Sequence, residues 1–134
     1  MADLEPVLVT RLKAFTALTD LTGTRIFPLI LPQSPTYPAV TFQRISAERL
    51  SGMTAEHGMP QVRIQIDSYA TTYASVKGVA AQVRAALQRW SDGTTNPAVL
   101  DVFIENELDD FEPDLESGGG VYRVIQDYIV HHRE

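Results

Sequence analysis

The sequence has 134 residues and a net charge of −6 at pH 7; 44% of its residues are hydrophobic and 21% are charged, and it contains no cysteine. The length and composition are typical of one soluble domain, and we expect residues 1–134 to form it. The lack of cysteine excludes a disulfide framework and a cysteine nucleophile. The acidic charge disfavours binding of nucleic acid by counterion release, and no apolar run approaches the ~20 residues of a membrane span.

The first elements are a helix and a short strand. Apolar residues at helical spacing predict a helix over Asp3–Leu18, which ends near Gly23, where glycine can adopt a positive φ. The run Arg25–Ile30 is apolar but contains Pro28, which has no N–H to donate to a neighbouring strand. It is therefore interpreted as an edge strand or a broken strand.

A second strand is predicted over Ala39–Leu50, after a proline-rich connector at Leu31–Pro38. Ile45 interrupts its alternation, which indicates a β-bulge or a partly buried outer face. The strand runs into residues 47–59, a stretch without periodicity that is long for a hairpin loop. Such loops are more often functional or mobile than idle.

The segment Pro60–Trp90 changes its apolar period from two to about 3.6, which predicts a strand followed by an amphipathic helix. One face of the strand is apolar through Val62, Ile64 and Ile66. The apolar stripe of the helix consists of Val76, Val79, Ala80, Val83, Leu87 and Trp90. These two apolar faces predict the centre of the core.

Two further strands are predicted after the turn at Ser91–Pro97. The first covers Ala98–Leu108, with Leu100, Val102, Ile104 and Leu108 on one face. An acidic and glycine-rich excursion over residues 105–120 separates it from the last strand, Val121–His132. Because both faces of that strand are partly apolar, it is either covered twice or covered once and in contact with another chain.

The predicted order of elements is α-β-β-β-α-β-β. Two helices are too few to cover both faces of such a sheet, so we expect an α+β two-layer sandwich. It would consist of a mainly antiparallel sheet of four main strands with both helices on one face. The other face would be polar.

No residues with catalytic or cofactor-binding spacing are recognisable. His131 and His132 are adjacent and point to opposite faces of a strand, so they would chelate a metal poorly. The acidic stretch lacks the spacing of a calcium loop. It is either a solvated strand end and turn or a negative surface facing DNA or a basic partner. We therefore expect no cofactor, no metal and no enzymatic activity.

Several short motifs occur in a characteristic order and spacing, at Arg25–Pro28, Leu31–Pro32, Pro38–Phe42, Arg63–Ala70 and Tyr73–Val76. Together they resemble the tail completion (tail-to-head joining, tail terminator) proteins of long-tailed phages and prophages. The resemblance covers Leu12–Leu87, and the C-terminal part is similar in pattern only.

This resemblance implies a ring, usually a hexamer, at the head-proximal end of a phage tail. Its partners would be other copies of the chain, the tail tube protein and the head–tail connector or stopper. The protein would be located in the neck of the virion and, during assembly, in the host cytoplasm. DNA would pass through the lumen of the ring without specific binding. The residues expected to line that lumen are Gln43, Arg63, Gln65, Asp67, Asp101 and Glu105.

Two segments are candidates for contact with other subunits or rings. The loop over residues 47–59 offers Arg49, Met53, His57 and Met59, although it is equally well explained as a disordered hairpin tip. The last strand offers Tyr122, Tyr128 and Val130, because aromatic residues are enriched in interfaces. The alternative is that these side chains pack under the connector at Leu31–Pro38.

Two functions of other classes stay open. A small enzyme would use carboxylates near Asp109–Glu116 and would need a pocket there. An adaptor or scaffold would be a stable monomer that binds another protein through one apolar patch. A ring instead requires two complementary surfaces on each subunit.

Overall fold

A five-stranded sheet with helices packed on one face forms the protein. The computed structural model describes residues 4–33, 35–48, 61–95, 98–113 and 119–133. In chain order the elements are α1 (Glu5–Ala14), α2 (Thr16–Thr22), β1 (Ile26–Pro28), β2 (Ala39–Glu48), β3 (Gln61–Ala70), α3 (Tyr73–Leu87), β4 (Val99–Pro113) and β5 (Gly120–His132).

The strands are arranged in the order β1-β2-β3-β5-β4. The four long strands pair antiparallel, which confirms the predicted α+β class and the four main strands. The short β1 adds a fifth strand, pairs parallel with β2 and ends at Pro28 on the sheet edge, where a missing N–H is tolerated.

The β3–α3 unit lies at the centre of the core, as predicted. Val62, Ile64 and Ile66 are buried on β3 beneath the apolar stripe of α3. The Thr72 hydroxyl accepts a hydrogen bond from the Ser75 N–H (3.1 Å) and caps the helix. The helix ends at Leu87, three residues before the predicted end.

The predicted first helix is two helices, α1 and α2. Phe15 between them has an extended backbone (φ −85°, ψ 100°). The break allows Leu12 and Leu18, six residues apart, both to be fully buried, a spacing that one straight helix does not place on the same side. Gly23 ends α2 with φ 59°, as predicted.

β-Bulges change the pattern of two strands. The pairing of β2 with β3 shifts between Arg44 and Ser46, which confirms the bulge predicted at Ile45. A second shift, between Ile104 and Asn106, turns Leu108 to the opposite face from Val102. The prediction that Val102 and Leu108 lie on the same face of this strand was therefore wrong.

The acidic stretch is mostly strand. β4 continues to Pro113 and pairs with β5 as far as Gly120, so residues 105–113 are not the turn that the sequence suggested. Gly120 is required there because an added Cβ would lie 2.4 Å from a ring carbon of Phe111 and 2.7 Å from the Glu112 carbonyl oxygen.

β5 contributes a polar layer to the core beneath α3. The Gln126 amide donates to the Ala80 carbonyl (3.1 Å) and to the Glu107 carboxylate (3.0 Å). Tyr128 and Val130 are fully buried beside it. None of the described helices combines the length and the apolar character of a membrane-spanning segment.

Candidate functional site

The candidate site is the sheet face opposite the helices, together with the two edges of the sheet. The side chains predicted to line a lumen lie on this outer face. Thr41 on β2 pairs with Asp67 on β3, and Gln43 pairs with Gln65. The set on this face is Gln43, Arg63, Gln65, Asp67, Asp101 and Glu105.

Asp67 and Arg123 form the best-buried ion pair of the outer face. Their side chains are separated by 2.6 Å, and the Asp67 side chain is 7% exposed. The Gln65 amide also donates to Asp67 (3.0 Å). On its other side, the Arg123 side chain lies 3.5 Å from the carboxylate of Glu112 on β4. Arg123 was not identifiable from the sequence because its role depends on the pairing of β5 with both neighbouring strands.

Tyr69 completes this network. Its ring lies under the Arg123 guanidinium, 5.7 Å from ring centre to guanidinium carbon, and its hydroxyl lies 3.4 Å from the Thr41 hydroxyl. Burial raises the pKa of Tyr69. The network joins β2, β3, β5 and β4 on one surface, so it fixes the relative positions of the polar side chains there.

The outer face is also partly apolar. Ile125 and Ile129 on β5 and Phe103 on β4 are half-buried among the polar residues, and Leu108 is exposed. The Arg89 guanidinium covers the Phe103 ring at 4.6 Å and pairs with Asp101 at 3.0 Å. The expectation of a uniformly polar face is thus replaced by a mixed one.

Three carboxylates of the β4 edge are each paired with a cation of their own. Glu107 pairs with Arg84 (3.0 Å) and Asp109 with Lys77 (3.4 Å), both on α3. Glu105 pairs with Arg63 on the outer face at 3.1 Å. These pairs are largely exposed, so each adds at most about 1 kcal/mol. The pairs of Glu107 and Asp109 connect β4 to α3.

Backbone groups on the β4 edge are satisfied locally. The N–H groups of Val102 and Phe111 donate to the side chains of the aspartates that precede them, each at 2.9 Å. The Ile104 N–H donates to Gln88 Oε1 at 2.6 Å. An edge protected in this way is a poor template for adding strands by backbone pairing.

An aromatic cluster lies at the glycine-rich end of the β4 edge. Tyr122 contacts Phe111 (ring centres 4.7 Å apart) and Tyr73 (5.8 Å). Tyr73 and Phe111 are exposed whereas Tyr122 is half-buried. The Tyr73 hydroxyl donates to Asp109 at 2.8 Å, which raises the pKa of Tyr73. This end of the edge combines apolar area with negative charge.

The β1 edge carries exposed apolar side chains and a cation. Leu29 is 64% exposed and Ile30 77%. Leu29 has a φ of 65°, a conformation that costs a bulky residue about 1–2 kcal/mol. Its N–H donates to the Phe42 carbonyl at 2.9 Å. An open groove of about 440 Å³ lies beside it, lined in part by Arg44.

The residues predicted to contact other subunits fall into three groups. Arg49, Met53, His57 and Met59 lie outside the described residues. Tyr122 is in the aromatic cluster. Tyr128 and Val130 are fully buried on the helix side of β5, so the structure corrects their assignment: they pack inside the subunit and not against a neighbour.

The described part of the chain offers no group of three or more His, Asp or Glu side chains arranged to hold a metal ion. The described acids near Asp109 are engaged in ion pairs and hydrogen bonds around an open surface. Among the described residues, Tyr73, Asp109, Asp110, Phe111 and Tyr122 line an open depression of about 400 Å³ there.

Comparisons with known proteins identify the family. Residues 6–133 match the family model described as tail completion protein gp17. A chain in a solved structure, "Virion of native gene transfer agent (GTA) particle", has a similar fold, with a TM-score of 0.67, 15% identity, and coverage of 95% of this chain and 92% of that chain. A search of curated proteins found no match. Because the family match spans nearly the whole sequence, the chain belongs to the tail completion protein gp17 family and is a phage tail structural protein.

Proposed function

We propose that the protein forms a ring, a hexamer, at the head-proximal end of a phage tail, where it terminates the tail tube and joins it to the head connector. The observation that carries this proposal is the family match over residues 6–133. The fold shared with a chain of a virion particle is consistent with it.

The arrangement of exposed apolar residues favours a ring over a monomeric adaptor. Besides Leu21 and Ile45, the exposed large apolar side chains of the described residues lie at opposite edges of the sheet. Leu29 and Ile30 follow β1, whereas Leu108 and Phe111 lie on β4, one on each face of that strand, with Tyr73 beside Phe111. An adaptor needs one patch for its partner. A closed ring needs two different patches, one for each neighbour.

We assign the outer face to the lumen of the ring. Its described charged side chains on β3, β4 and β5 include two arginines, Arg63 and Arg123, both occupied by ion pairs within the face. The carboxylates there outnumber these cations: Asp67, Asp101, Glu105, Asp110, Glu112 and Asp127. Such a lining repels the DNA backbone weakly and leaves the polyanion free to pass.

Deletion of the gene tests this function. Phage particles assembled without the protein are expected to appear as DNA-filled heads and separate tails of irregular length, counted by negative-stain electron microscopy. Supplying the protein from a plasmid should restore joined particles. Joined virions with tails of normal length in the deletion strain would overturn the proposal.

A further inference from the structure

We propose that the β1 edge of one subunit binds the β4 edge of the next copy of this chain, so that each subunit uses two different surfaces. This inference rests on the proposed ring and names its contact. The two surfaces are the groove beside Leu29, with Arg44 at its rim, and the acidic β4 edge with Leu108 and Phe111 exposed.

Charge favours the pairing of unlike edges. Arg44 is exposed, and within the part of the chain that the structure describes it forms no ion pair. The β4 edge carries more carboxylates than it has cations nearby: its five acids share Arg63, Lys77, Arg84 and Arg123, and Arg123 is already paired with Asp67. Arg44 of the neighbouring copy supplies a further cation. The acids are Glu105, Glu107, Asp109, Asp110 and Glu112.

Charge also disfavours the pairing of like edges. Two β4 edges brought together would place these five carboxylates against five more, and like charges directly opposite are destabilising. The backbone N–H groups of Val102, Ile104 and Phe111 are already bonded to side chains. The contact therefore forms through side chains and not by extension of the sheet.

Apolar area on the β1 edge fits the same partner. Leu29 and Ile30 are more than half exposed although the core is close by. Leu29 adopts its positive φ at an energetic cost while its side chain stays exposed. Pro6, Pro28 and Phe42 form the rest of the apolar lining of the adjacent groove, which Glu5 and Arg44 also line. Covering this area with Leu108 and Phe111 of the next subunit removes apolar surface from water on both sides.

A pair of charge reversals tests the contact. Arg44→Glu should reduce the yield of joined particles about tenfold or more, because it sets a carboxylate against the acidic edge. Lys13→Glu is the matched control: Lys13 is exposed in the last turn of α1 and is not among the residues that line the groove, and the change in net charge is the same. Equal yields from the two variants would overturn the inference.

Introduced cysteines map the contact directly, because the chain has none of its own. In particles that carry both Ile30→Cys and Leu108→Cys, mild oxidation should link subunits into a ladder that ends at the full ring. Each single variant should stay monomeric on a non-reducing gel. Dimers from a single variant, or no ladder from the double variant in particles that are joined, would overturn the proposed contact.

The two proposals fail differently. If the wild-type protein does not restore joined particles to the deletion strain, the ring function itself is wrong. If the wild-type protein restores them and the Arg44→Glu variant does so equally well, the ring function stands and the assignment of its edges is wrong.

Discussion

At the scale of single residues, Tyr128 shows that the core of this protein accepts an unpaired polar group. Its side chain is completely buried, and its hydroxyl has no hydrogen-bond partner among the described residues. Leaving a buried hydroxyl unsatisfied costs about 1–3 kcal/mol. Because the Tyr128 ring belongs to the hydrophobic core cluster, we expect phenylalanine to pack in the same place without the unsatisfied hydroxyl.

Tyr128→Phe is expected to leave stability unchanged or to raise it by about 1 kcal/mol at pH 7, since it removes the unsatisfied hydroxyl. Urea denaturation followed by circular dichroism measures the free energy of unfolding. A loss of more than about 1 kcal/mol would show that the hydroxyl has a partner.

The same variant should alter stability at alkaline pH. Burial raises the pKa of Tyr128, so above pH ~10 the unfolded chain releases this proton while the folded protein retains it. The stabilisation is complete below pH ~10 and is lost as the pH rises further. Between pH 8 and 11 the Tyr128→Phe variant should lose less stability than the wild type. Part of the loss should remain in the variant, because burial also raises the pKa of Tyr69. Parallel stability curves for the two proteins would contradict this assignment.

At the scale of elements, the outer face is held together by Arg123, which connects β3 and β4 through its position on β5. The Asp67 carboxylate that it binds is nearly inaccessible to water. Removing Arg123 would leave that charge buried without its cation, and breaking such a pair costs more than breaking an exposed one.

Arg123→Met is expected to lower the free energy of unfolding by about 2–3 kcal/mol, less than for a fully buried pair because Arg123 is partly exposed. Arg63→Met is the matched control on the same face: its pair with Glu105 is much more exposed, and its loss should cost below about 1 kcal/mol. Chemical denaturation of both variants makes the comparison. Equal costs would mean that Asp67 does not depend on Arg123.

The elements were predictable where local pattern decides them. The change of the apolar period at Ala70–Thr72 predicted the β3–α3 unit, and the interrupted alternation at Ile45 indicated the first bulge. The bulge at Glu105 was not predictable because the acidic stretch offers no apolar alternation to interrupt. The faces of β5 stayed ambiguous because both are partly apolar, and Tyr128 and Val130 were consequently assigned to the wrong side.

At the scale of the whole molecule, the sheet has a helix-covered face, a mixed outer face and two unlike edges. Each of these surfaces is formed by residues that lie far apart in the sequence. Only the pairing of the strands shows that Arg123 connects Asp67 to Glu112. It also places Leu29 and Leu108 at opposite edges of the sheet. The polar residues proposed for the lumen could be read from alternation along β2 and β3, but their network could not.

An electron cryo-microscopy map of the phage neck would show the proposed ring and the orientation of its subunits. We expect a six-fold ring between tail tube and connector, with the sheets facing the channel, the helices facing outward, and β1 of each subunit beside β4 of the next. A ring whose helices line the channel, or a neck that lacks a ring of this chain, would contradict the account.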